Sequence, residues 1–454
     1  MRRLWLAAIA ALCCTVTVTA KDGAFRSTRH GDPVKGPQRK LDHPAGSCVQ
    51  CHDGHSRHND RYNAPPSLGA DSSELCLDCH TLAPLDGGSF PGVAAWTAGA
   101  HARERMERPN DPAVQSRNAC VACHDPHGVR DARGVIPALL AQRERDLCLG
   151  CHDGVRGADI RNELQKTYWH GQNARGEHDP VESRSRDPID TAPLNRHVTC
   201  SDCHNAHVAR ADRGGKYDGE ASDRLTGVAR VQVVHGAAGA QPSYRWIAPN
   251  DPAPAWEFEI CFKCHSSAVR QLPQSEDLAR TTNPANPSFH PIQARGRNRN
   301  IDANAFAGGM SAESRIRCSD CHSGDSSRVR GPHGSSHEHL LRRRYASDGS
   351  LPMARTDLCF DCHAWAVYAD AASDVSLLAA SRFNAPSGAG HAFHTGAQRI
   401  HCSACHEPHG SMRQPALIAV RQRPGITSYI QTQSGGTCTP TCHVTRSYKV
   451  SYPR

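Results

Sequence analysis

The sequence is poor in the residues from which hydrophobic cores are built. Leucine, isoleucine, valine and phenylalanine together make up roughly 16% of the 454 residues, and aromatic residues make up 5%. Chains with less than about 20% of these four residues generally fail to bury enough apolar surface to fold. A large aliphatic core and a fold built on long hydrophobic strands are therefore excluded, and another kind of group must order the chain.

Long apolar runs are also lacking, apart from one at the N-terminus. Arg2 and Arg3 precede an apolar run that extends to about Val18 and is followed by Thr and Ala20. A basic start, a short apolar segment and a small residue at the cleavage point predict a secretory signal peptide over residues 1–20. A transmembrane anchor is a weaker interpretation, since the run is shorter than the roughly 20 residues of a spanning helix. A lipoprotein cleaved at Cys13 is disfavoured by the bulky leucine before it.

We therefore expect an exported mature chain without a transmembrane segment. Its location is predicted to be periplasmic, or outer-membrane-associated or extracellular, since secretion signals of this kind direct a chain out of the cytoplasm.

Cysteine and histidine are unusually abundant, at 22 and 29 residues. Apart from Cys13 and Cys14, every cysteine belongs to one of ten pairs that are each followed directly by histidine. Nine pairs have the form C-x-x-C-H, and the tenth has three intervening residues, including Pro440. The paired cysteines are Cys48, Cys51, Cys76, Cys79, Cys120, Cys123, Cys148, Cys151, Cys200, Cys203, Cys261, Cys264, Cys318, Cys321, Cys359, Cys362, Cys402, Cys405, Cys438 and Cys442. The histidines that follow them are His52, His80, His124, His152, His204, His265, His322, His363, His406 and His443.

The C-x-x-C-H sequence is the attachment signature of haem c. Residues at i, i+3 and i+4 share one face of a helix, so two thiols can reach the vinyl groups of one porphyrin while histidine reaches its iron as the proximal ligand. A disulfide framework and zinc ribbons are the competing interpretations, but neither requires a histidine after every pair. We therefore predict ten covalently attached haem c groups, with the tenth site the least certain.

The attachment sequences alternate between two kinds, which we call leading and trailing. A leading sequence follows a small or polar residue, as at Cys48, whereas a trailing sequence follows an acid and an aliphatic residue, as in Glu259-Ile260-Cys261. Only the tenth breaks the trailing rule. One leading and one trailing sequence form a repeat, and we place five repeats at about 21–95, 96–165, 166–285, 286–385 and 386–454.

The predicted fold is mainly irregular, with short α-helices wrapped around a haem stack and little or no β-sheet. The haems are too closely spaced along the chain for independently folded units. The largest insertion, at about 211–255, is expected to be a loop excursion with a possible short strand at 228–234.

In its attachment sequences and their paired repeats, the chain resembles the doubled-C-x-x-C-H family of multihaem c-type cytochromes. The most specific segments are C-H-D-P-H-G at 123–128, C-H-E-P-H-G at 405–410 and W-E-F-E-I-C-F-K-C-H at 256–265. The resemblance covers nearly the whole mature chain and implies an electron carrier of the periplasm or cell exterior, a group that includes the decahaem conduits of metal-respiring bacteria. It implies other redox proteins as partners, among them cytochromes and quinol-oxidising or outer-membrane complexes, with an outer-membrane porin or self-assembly into a filament as further options.

We expect a carrier that moves electrons along ten mostly bis-His haems in anaerobic or extracellular metal respiration, and not an enzyme. The alternative is a multihaem reductase of a nitrogen or sulfur oxyanion, with one open-site haem. Enzymes of that kind often carry lysine in the proximal position, which is found in none of the ten motifs. Nucleic acid is not an expected partner, because the chain is predicted to be exported and has few stacking aromatic residues.

Ten bis-His haems require ten further histidines as distal ligands, and 29 less the ten proximal ones leaves 19. Methionine, the other common ligand, recurs at no fixed offset. Histidine stands three residues after the proximal one in four leading sequences, and His333 follows the remaining one in a G-P-H-G unit. Because a residue three positions away cannot reach the far face of the same iron, we expect each to serve a neighbouring haem. A second set lies in the linker before each repeat.

The predicted distal ligands are His55, His127, His207, His333, His409, His43, His101, His170, His290 and His394. For the first repeat, His30 is an alternative to His43. The histidines without a predicted role are His30, His58, His178, His197, His235, His337, His339, His391 and His401.

The excess of arginine has a use in a haem protein, because arginine forms charge-assisted bonds to carboxylates such as haem propionates. One cluster stands out, Arg342-Arg343-Arg344. It is either a docking patch for an acidic partner or an ordinary solvated or propionate-binding stretch.

We predict that mass spectrometry of the purified holoprotein will show ten covalent haems, one for each pair of cysteines. A count of nine would indicate that the irregular site at Cys438 and Cys442 is not occupied.

Overall fold

The computed structural model describes thirteen stretches of the chain. They are residues 22–52, 74–80, 93–103, 119–172, 197–212, 217–249, 251, 253–268, 277–298, 301–347, 351–384, 390–420 and 425–450. The predicted signal peptide and the predicted ligand His55 lie outside them. Within them, no helix is long and apolar enough to cross a membrane.

The helices are short. The α-helices are α1 (Asp22–Phe25), α2 (Glu74–His80), α3 (Val93–Ala98), α4 (Ala100–Arg103), α5 (Ala119–Cys123), α6 (Glu144–Leu149), α7 (Ile160–Glu163), α8 (Cys200–Cys203), α9 (Glu257–Cys261), α10 (Leu278–Thr281), α11 (Trp365–Tyr368) and α12 (Val375–Ala379). Single 3₁₀ turns span Arg29–Gly31, Cys48–Gln50, Pro137–Leu139, Asp223–Leu225, Ala303–Ala305, Cys318–Asp320, Glu338–Leu340, Leu358–Asp361 and Cys402–Ala404, and one π-helix spans Ala392–Ala397. The predicted fold class, short helices within irregular chain, is confirmed.

The strands form small antiparallel sheets. They are β1 (Arg130–Asp131), β2 (Gly134–Val135), β3 (Tyr168–Trp169), β4 (Arg230–Val234), β5 (Ser243–Ile247), β6 (Ser288–Phe289), β7 (Gly334–Ser335), β8 (Gly410–Ser411), β9 (Ile426–Thr432), β10 (Gly435–Pro440) and β11 (Arg446–Lys449). The pairs are β1–β2, β3–β7, β4–β5 and β6–β8, and β9, β10 and β11 form a three-stranded meander. Two of the pairs, β3–β7 and β6–β8, join segments more than 100 residues apart in sequence, so they connect different predicted repeats.

The chain forms two compact units. The first consists of residues 1–75 and 116–143, and its described part contains α1, α5 and the hairpin β1–β2, which the ion pair between Asp131 and Arg143 (2.8 Å) closes. The second consists of residues 76–115 and 144–454 and contains α3, α4, α6 to α12 and the strands from β3 onward. The predicted boundaries of the five repeats stay a prediction.

The insertion at about 211–255 is more ordered than a loop excursion. The possible strand is present as β4, and it pairs with β5 in a hairpin. Val231 of β4 packs with Phe258 and Phe262 in the largest apolar cluster among the described residues. Beside it, buried Arg230 donates to the carboxylate of Glu259 at 3.1 Å. The hairpin is stable because one face covers the helix α9, which leads into a trailing attachment sequence.

Helix ends are joined by a recurring contact between an acid and a serine. Glu144 lies four residues before the trailing cysteine Cys148. Its carboxylate accepts hydrogen bonds from the amide (2.7 Å) and hydroxyl (2.8 Å) of Ser201, which directly follows the leading cysteine of the next repeat. Glu257 accepts from Ser319 in the same way, at 2.8 and 2.7 Å. Each carboxylate thus caps the helical turn of the following repeat. Its interaction with the helix N-terminus favours the negative charge.

We predict that Glu257→Ala lowers the free energy of unfolding by about 2 kcal/mol, because it leaves the partly buried amide and hydroxyl of Ser319 without their acceptor. Chemical denaturation followed by circular dichroism measures the change. Glu313→Ala is the matched control. Its carboxylate is 55% exposed and pairs with Arg295 on the surface, so the expected loss is below about 1 kcal/mol. Equal losses in the two variants would contradict the capping role of Glu257.

Candidate haem-binding site

The C-x-x-C-H sequences adopt the helical turn that haem attachment requires. In eight of them the amide of the histidine donates to the carbonyl oxygen of the first cysteine, at 2.8–3.0 Å. This i to i+4 bond sets both thiols and the imidazole on one side of a single turn. The eight histidines are His52, His124, His152, His204, His265, His322, His363 and His406. His80 ends the helix α2 in the ninth C-x-x-C-H sequence.

The tenth sequence has a different backbone. Cys438 lies in the strand β10, opposite Tyr429 of β9 and Arg446 of β11. Cys442 and His443 follow in an exposed turn. Pro440 supplies no amide hydrogen for a helical turn, and the extra residue lets the chain stay extended between the two thiols. The geometry of this site therefore differs from the other nine.

Four trailing histidines each face the histidine in the linker before their own repeat. The ring centroids lie 6.1–6.4 Å apart. The pairs are His152 with His101, His265 with His170, His363 with His290, and His443 with His394. All four linker histidines belong to the predicted second set of distal ligands.

Three leading histidines each face a ring from the following repeat, with centroids 6.0 Å apart and planes within 14° of parallel. The pairs are His52 with His127, His204 with His333, and His322 with His409. In each pair the second histidine belongs to the predicted first set. It stands beside the histidine of another attachment sequence and not beside its own, as the sequence argument requires.

The spacing of the rings fits an iron atom between them. A metal–nitrogen bond of about 2 Å and an imidazole radius of about 1 Å on each side place the centroids of two axial ligands about 6 Å apart. The Nδ1 atom of His333 is buried and has no hydrogen-bond partner among the described residues. Such a polar atom is costly unless the ring binds a further group. The pairs are therefore suited to hold haem iron on both faces.

One further pair was not predicted. His391 faces the leading histidine His406, with centroids 6.1 Å apart and planes at 26°. The sequence signal was present but ambiguous, because His391 and His394 lie three residues apart in one linker and only one of them was assigned.

The other three predicted distal ligands are His43, His207 and His55. His43 is 44% exposed, and its ring lies 3.6 Å from the carboxylate of Asp42. The buried side chain of Gln50 binds the carbonyl oxygen of His43, which fixes this loop with its ring turned outward. His207 packs edge-on against Trp96 at 5.8 Å. His55 lies outside the described residues.

Short β-bridges hold distal histidines side by side. His170 donates its amide to the carbonyl of His333 (3.0 Å) where β3 meets β7, and His290 donates to His409 (3.1 Å) where β6 meets β8. Each bridge thus positions one ring for a leading histidine and one for a trailing histidine of the same repeat.

The glycines after His333 and His409 explain the recurrent P-H-G unit. A β-carbon at Gly334 would collide with the carbonyl oxygen of Glu163, and one at Gly410 with the carbonyl oxygen of Thr281. Only glycine allows the backbones to approach this closely.

Leading histidines are oriented by backbone carbonyls. Their Nδ1 atoms lie 2.8–3.0 Å from carbonyl oxygens in a turn 10 to 20 residues downstream. The acceptors are Ala138 for His124, Arg224 for His204, His339 for His322 and Ala416 for His406. This bond fixes the tautomer in which Nε2 carries no proton and can bind a metal. Sequence reasoning missed these turns, although Ala138-Leu139-Leu140, His339-Leu340-Leu341 and Ala416-Leu417-Ile418 are visibly alike.

Burial keeps the paired rings neutral. Desolvation is the largest cause that lowers the pKa of His290 to about 3 and that of His170, His333 and His363 to about 4, and a nearby histidine adds to the effect in each case. The neutral imidazole is the form that binds a metal.

Thiols of consecutive attachment sequences lie next to one another in the second unit. Between repeats, the contacting pairs are Cys148 with Cys200, Cys261 with Cys318, and Cys359 with Cys402. Within repeats, the neighbours are Cys203 with Cys261 and Cys264, Cys321 with Cys359 and Cys362, and Cys405 with Cys438 and Cys442. The attachment points from Cys148 to Cys442 therefore follow one another in space in the order of the sequence.

Glu257, Cys261 and Cys318 place ligand atoms within 4.8 Å of one another, a spacing that could hold a metal ion. A hydrogen bond to Cys318 and burial raise the pKa of the Cys261 thiol, whereas a metal needs the thiolate. The carboxylate of Glu257 is already taken by Ser319. The cluster is better explained as the junction between two attachment sequences.

The arginine cluster is paired with acids of the fourth repeat. Arg342 and Arg343 lie 3.2 and 2.7 Å from the carboxylate of Asp361, and Arg344 lies 2.6 Å from buried Asp357. These ion pairs favour a local structural role for the cluster over a docking patch.

Comparisons with known proteins agree with this chemistry. The family model described as "Doubled CXXCH motif" matches residues 112–157 and 311–367, which contain the attachment sequences of the second and fourth repeats. No curated protein matches the chain. No solved structure matches it. The two matched copies indicate covalently bound haem c and are consistent with a multihaem c-type cytochrome that transfers electrons.

We predict that the free energy of unfolding of the holoprotein falls as the pH is lowered from about 6.5 towards 4. In this range the unfolded histidines take up protons that the buried rings, with pKa values of about 3 to 4, do not. Burial raises the pKa of Glu257 and Glu259, which acts in the opposite direction but involves only two groups. Guanidinium unfolding at about pH 7 and about pH 4.5 measures the difference.

The interval from about pH 7 to 8 serves as the internal control, since these histidines are neutral there in both states. A stability that rises on acidification would show that the paired rings are not protected from protons.

Proposed function

We propose that this protein is a decahaem c-type cytochrome that carries electrons along a chain of mostly bis-His haems in anaerobic or extracellular metal respiration. The two matched copies of the doubled motif contain four attachment pairs and support haem attachment, and the six further C-x-x-C-H or C-x₃-C-H pairs outside them extend the count to ten. Each haem, when bound, supplies a one-electron redox centre, and the chain supplies position and surroundings.

The opposed imidazole rings carry this proposal. Seven proximal histidines face a predicted distal ligand at 6.0–6.4 Å. Two axial histidines leave no coordination position for a substrate, which favours a carrier over a reductase with an open-site haem. Histidine on both faces also favours lower potentials than a histidine–methionine pair does.

The neighbouring thiols support electron transfer along the sequence order. Because each thiol is bonded to the edge of its porphyrin, attachment cysteines in contact bring consecutive haem edges close together. From Cys148 to Cys442 this relation links seven successive sites. Electrons would then enter near one end of this series and leave near the other.

The backbone of the protein orients the rings, and their burial excludes water from them. Backbone carbonyls at Ala138, His339 and Ala416 orient leading histidines, and the bridges at β3–β7 and β6–β8 orient distal ones. Burial of these rings favours the neutral ligand form and keeps bulk solvent from the irons.

The location and partners follow from the same proposal. The N-terminal sequence is typical of an exported protein, and export is required for a c-type cytochrome that works in the periplasm, at the outer membrane or outside the cell. Partners would be other redox proteins, including quinol-oxidising or outer-membrane complexes, a porin, or further copies of this chain.

The electron paramagnetic resonance spectrum of the oxidised holoprotein tests the proposal. We predict low-spin ferric haem only, because both axial positions are filled by imidazole. A clear high-spin fraction that changes when nitrite or sulfite is added would contradict the carrier and favour the reductase.

A variant calibrates the sensitivity of this measurement. His409→Ala removes the ring opposite His322 and should convert about one haem in ten to high spin. His235→Ala is its control, since that side chain binds Gln293 at 2.7 Å and belongs to none of the ring pairs described above, and its spectrum should equal that of the unmodified protein.

A further inference from the structure

The fifth repeat departs from the rule by which leading histidines are paired. In the first, third and fourth repeats, the ring opposite the leading histidine comes from the following repeat, as His409 does for His322. In the fifth repeat, the ring opposite His406 is His391, which lies in the linker before that repeat. The partner is thus supplied from the N-terminal side of the attachment sequence.

A π-helix makes this arrangement possible. His391 precedes the π-helix Ala392–Ala397, which contains His394. The ring of His391 faces His406, whereas the ring of His394 faces His443 at 6.3 Å. One segment of four residues therefore serves both attachment sequences of the repeat. π-Helical turns are rare and occur frequently at functional sites.

Aromatic residues hold the two rings apart. Phe383 packs edge-on against His391 at 5.2 Å and stacks on His394 at 5.7 Å. Tyr368 meets His391 edge-on at 5.1 Å from another side. The position of His391 is therefore set from several directions, which a ring must have before it can bind a metal at a defined angle.

His391 also has a polar atom without a partner. Its Nδ1 is buried and makes no hydrogen bond within the described part of the chain. A histidine that only filled space in this aromatic cluster would bear the cost of that unpaired atom without compensation. A bond from this nitrogen to iron would satisfy it.

We propose that His391 is the distal ligand of the haem attached at Cys402 and Cys405, and that the fifth repeat thereby completes both of its haem sites from its own residues. The first, third and fourth repeats depend on their successors for one ligand, whereas the fifth does not. This inference rests on the proposed function, because it requires haem at these cysteines.

Replacement of His391 tests the inference in the full-length holoprotein. In His391→Gly, about one haem in ten should become high spin, and added imidazole should restore the low-spin signal by entering the space that the ring leaves. In His391→Met, the haem should stay low spin, and about one haem in ten should titrate at a higher potential in a spectroelectrochemical titration, because methionine ligation raises the potential.

The His391→Met variant also covers the case in which His391→Gly does not fold. His235→Ala, whose side chain binds Gln293, is the matched control, and it should show neither change. If the unmodified protein is entirely low spin with ten haems and both His391 variants keep its spectrum and potentials, another group binds this iron and the inference is wrong. If the unmodified protein lacks haem at Cys402 and Cys405 or has high-spin haem there, the proposed function itself fails at this site.

Discussion

In the proposed cytochrome, the structure depends on the requirement that two imidazole rings stand about 6 Å apart with their nitrogen atoms directed at one iron. One ring of each pair belongs to an attachment sequence, and the other comes from a segment that is distant in sequence, by as many as 129 residues for His204 and His333. Each iron would therefore act as a cross-link between two parts of the chain. Bonds of this kind can order a chain that has too few aliphatic residues for a conventional core.

The other interactions follow from this constraint. The two-residue bridges β3–β7 and β6–β8 have almost no stability as sheets, but they bring distal rings to the correct spacing. The glycines in the P-H-G units are needed because the bridging backbones approach closely. Carbonyl groups that accept from leading histidines orient the rings on the opposite side. Buried acids such as Glu257 then connect the end of one attachment sequence to the start of the next.

The ring pairs that join neighbouring repeats all run in the same direction along the sequence. Leading sites in the first, third and fourth repeats are paired with rings from the next repeat, whereas the trailing sites of the second to fifth repeats are paired with rings from their own linker. Each of these repeats would therefore hold its successor through one iron, and thiol contacts also join the third repeat to the fourth and the fourth to the fifth. One arrangement thus provides both mechanical connection and close spacing between redox centres.

The sequence by itself determined the attachment chemistry and most of the candidate ligands. Two thiols and a histidine within one helical turn are a local feature, and the proximal residues could be read directly for that reason. The recurring offsets of His127, His333 and His409, and the linker positions of His170 and His290, were also visible, because repetition shows a pattern without any fold. The short helices were predictable from the low aliphatic content.

Only the tertiary structure decided which rings face each other, since a distal ligand is chosen by the path of the backbone over 15 to 129 residues and not by local spacing. The structure therefore distinguishes His391 from the other histidines without a predicted role. It also shows that the ring of His43 lies beside Asp42. It also placed the tenth attachment sequence on a strand, where Pro440 and strand pairing on both sides replace the helical turn. Backbone acceptors such as Ala138 were beyond sequence reasoning for the same reason, because every residue carries a carbonyl and only the fold selects one of them.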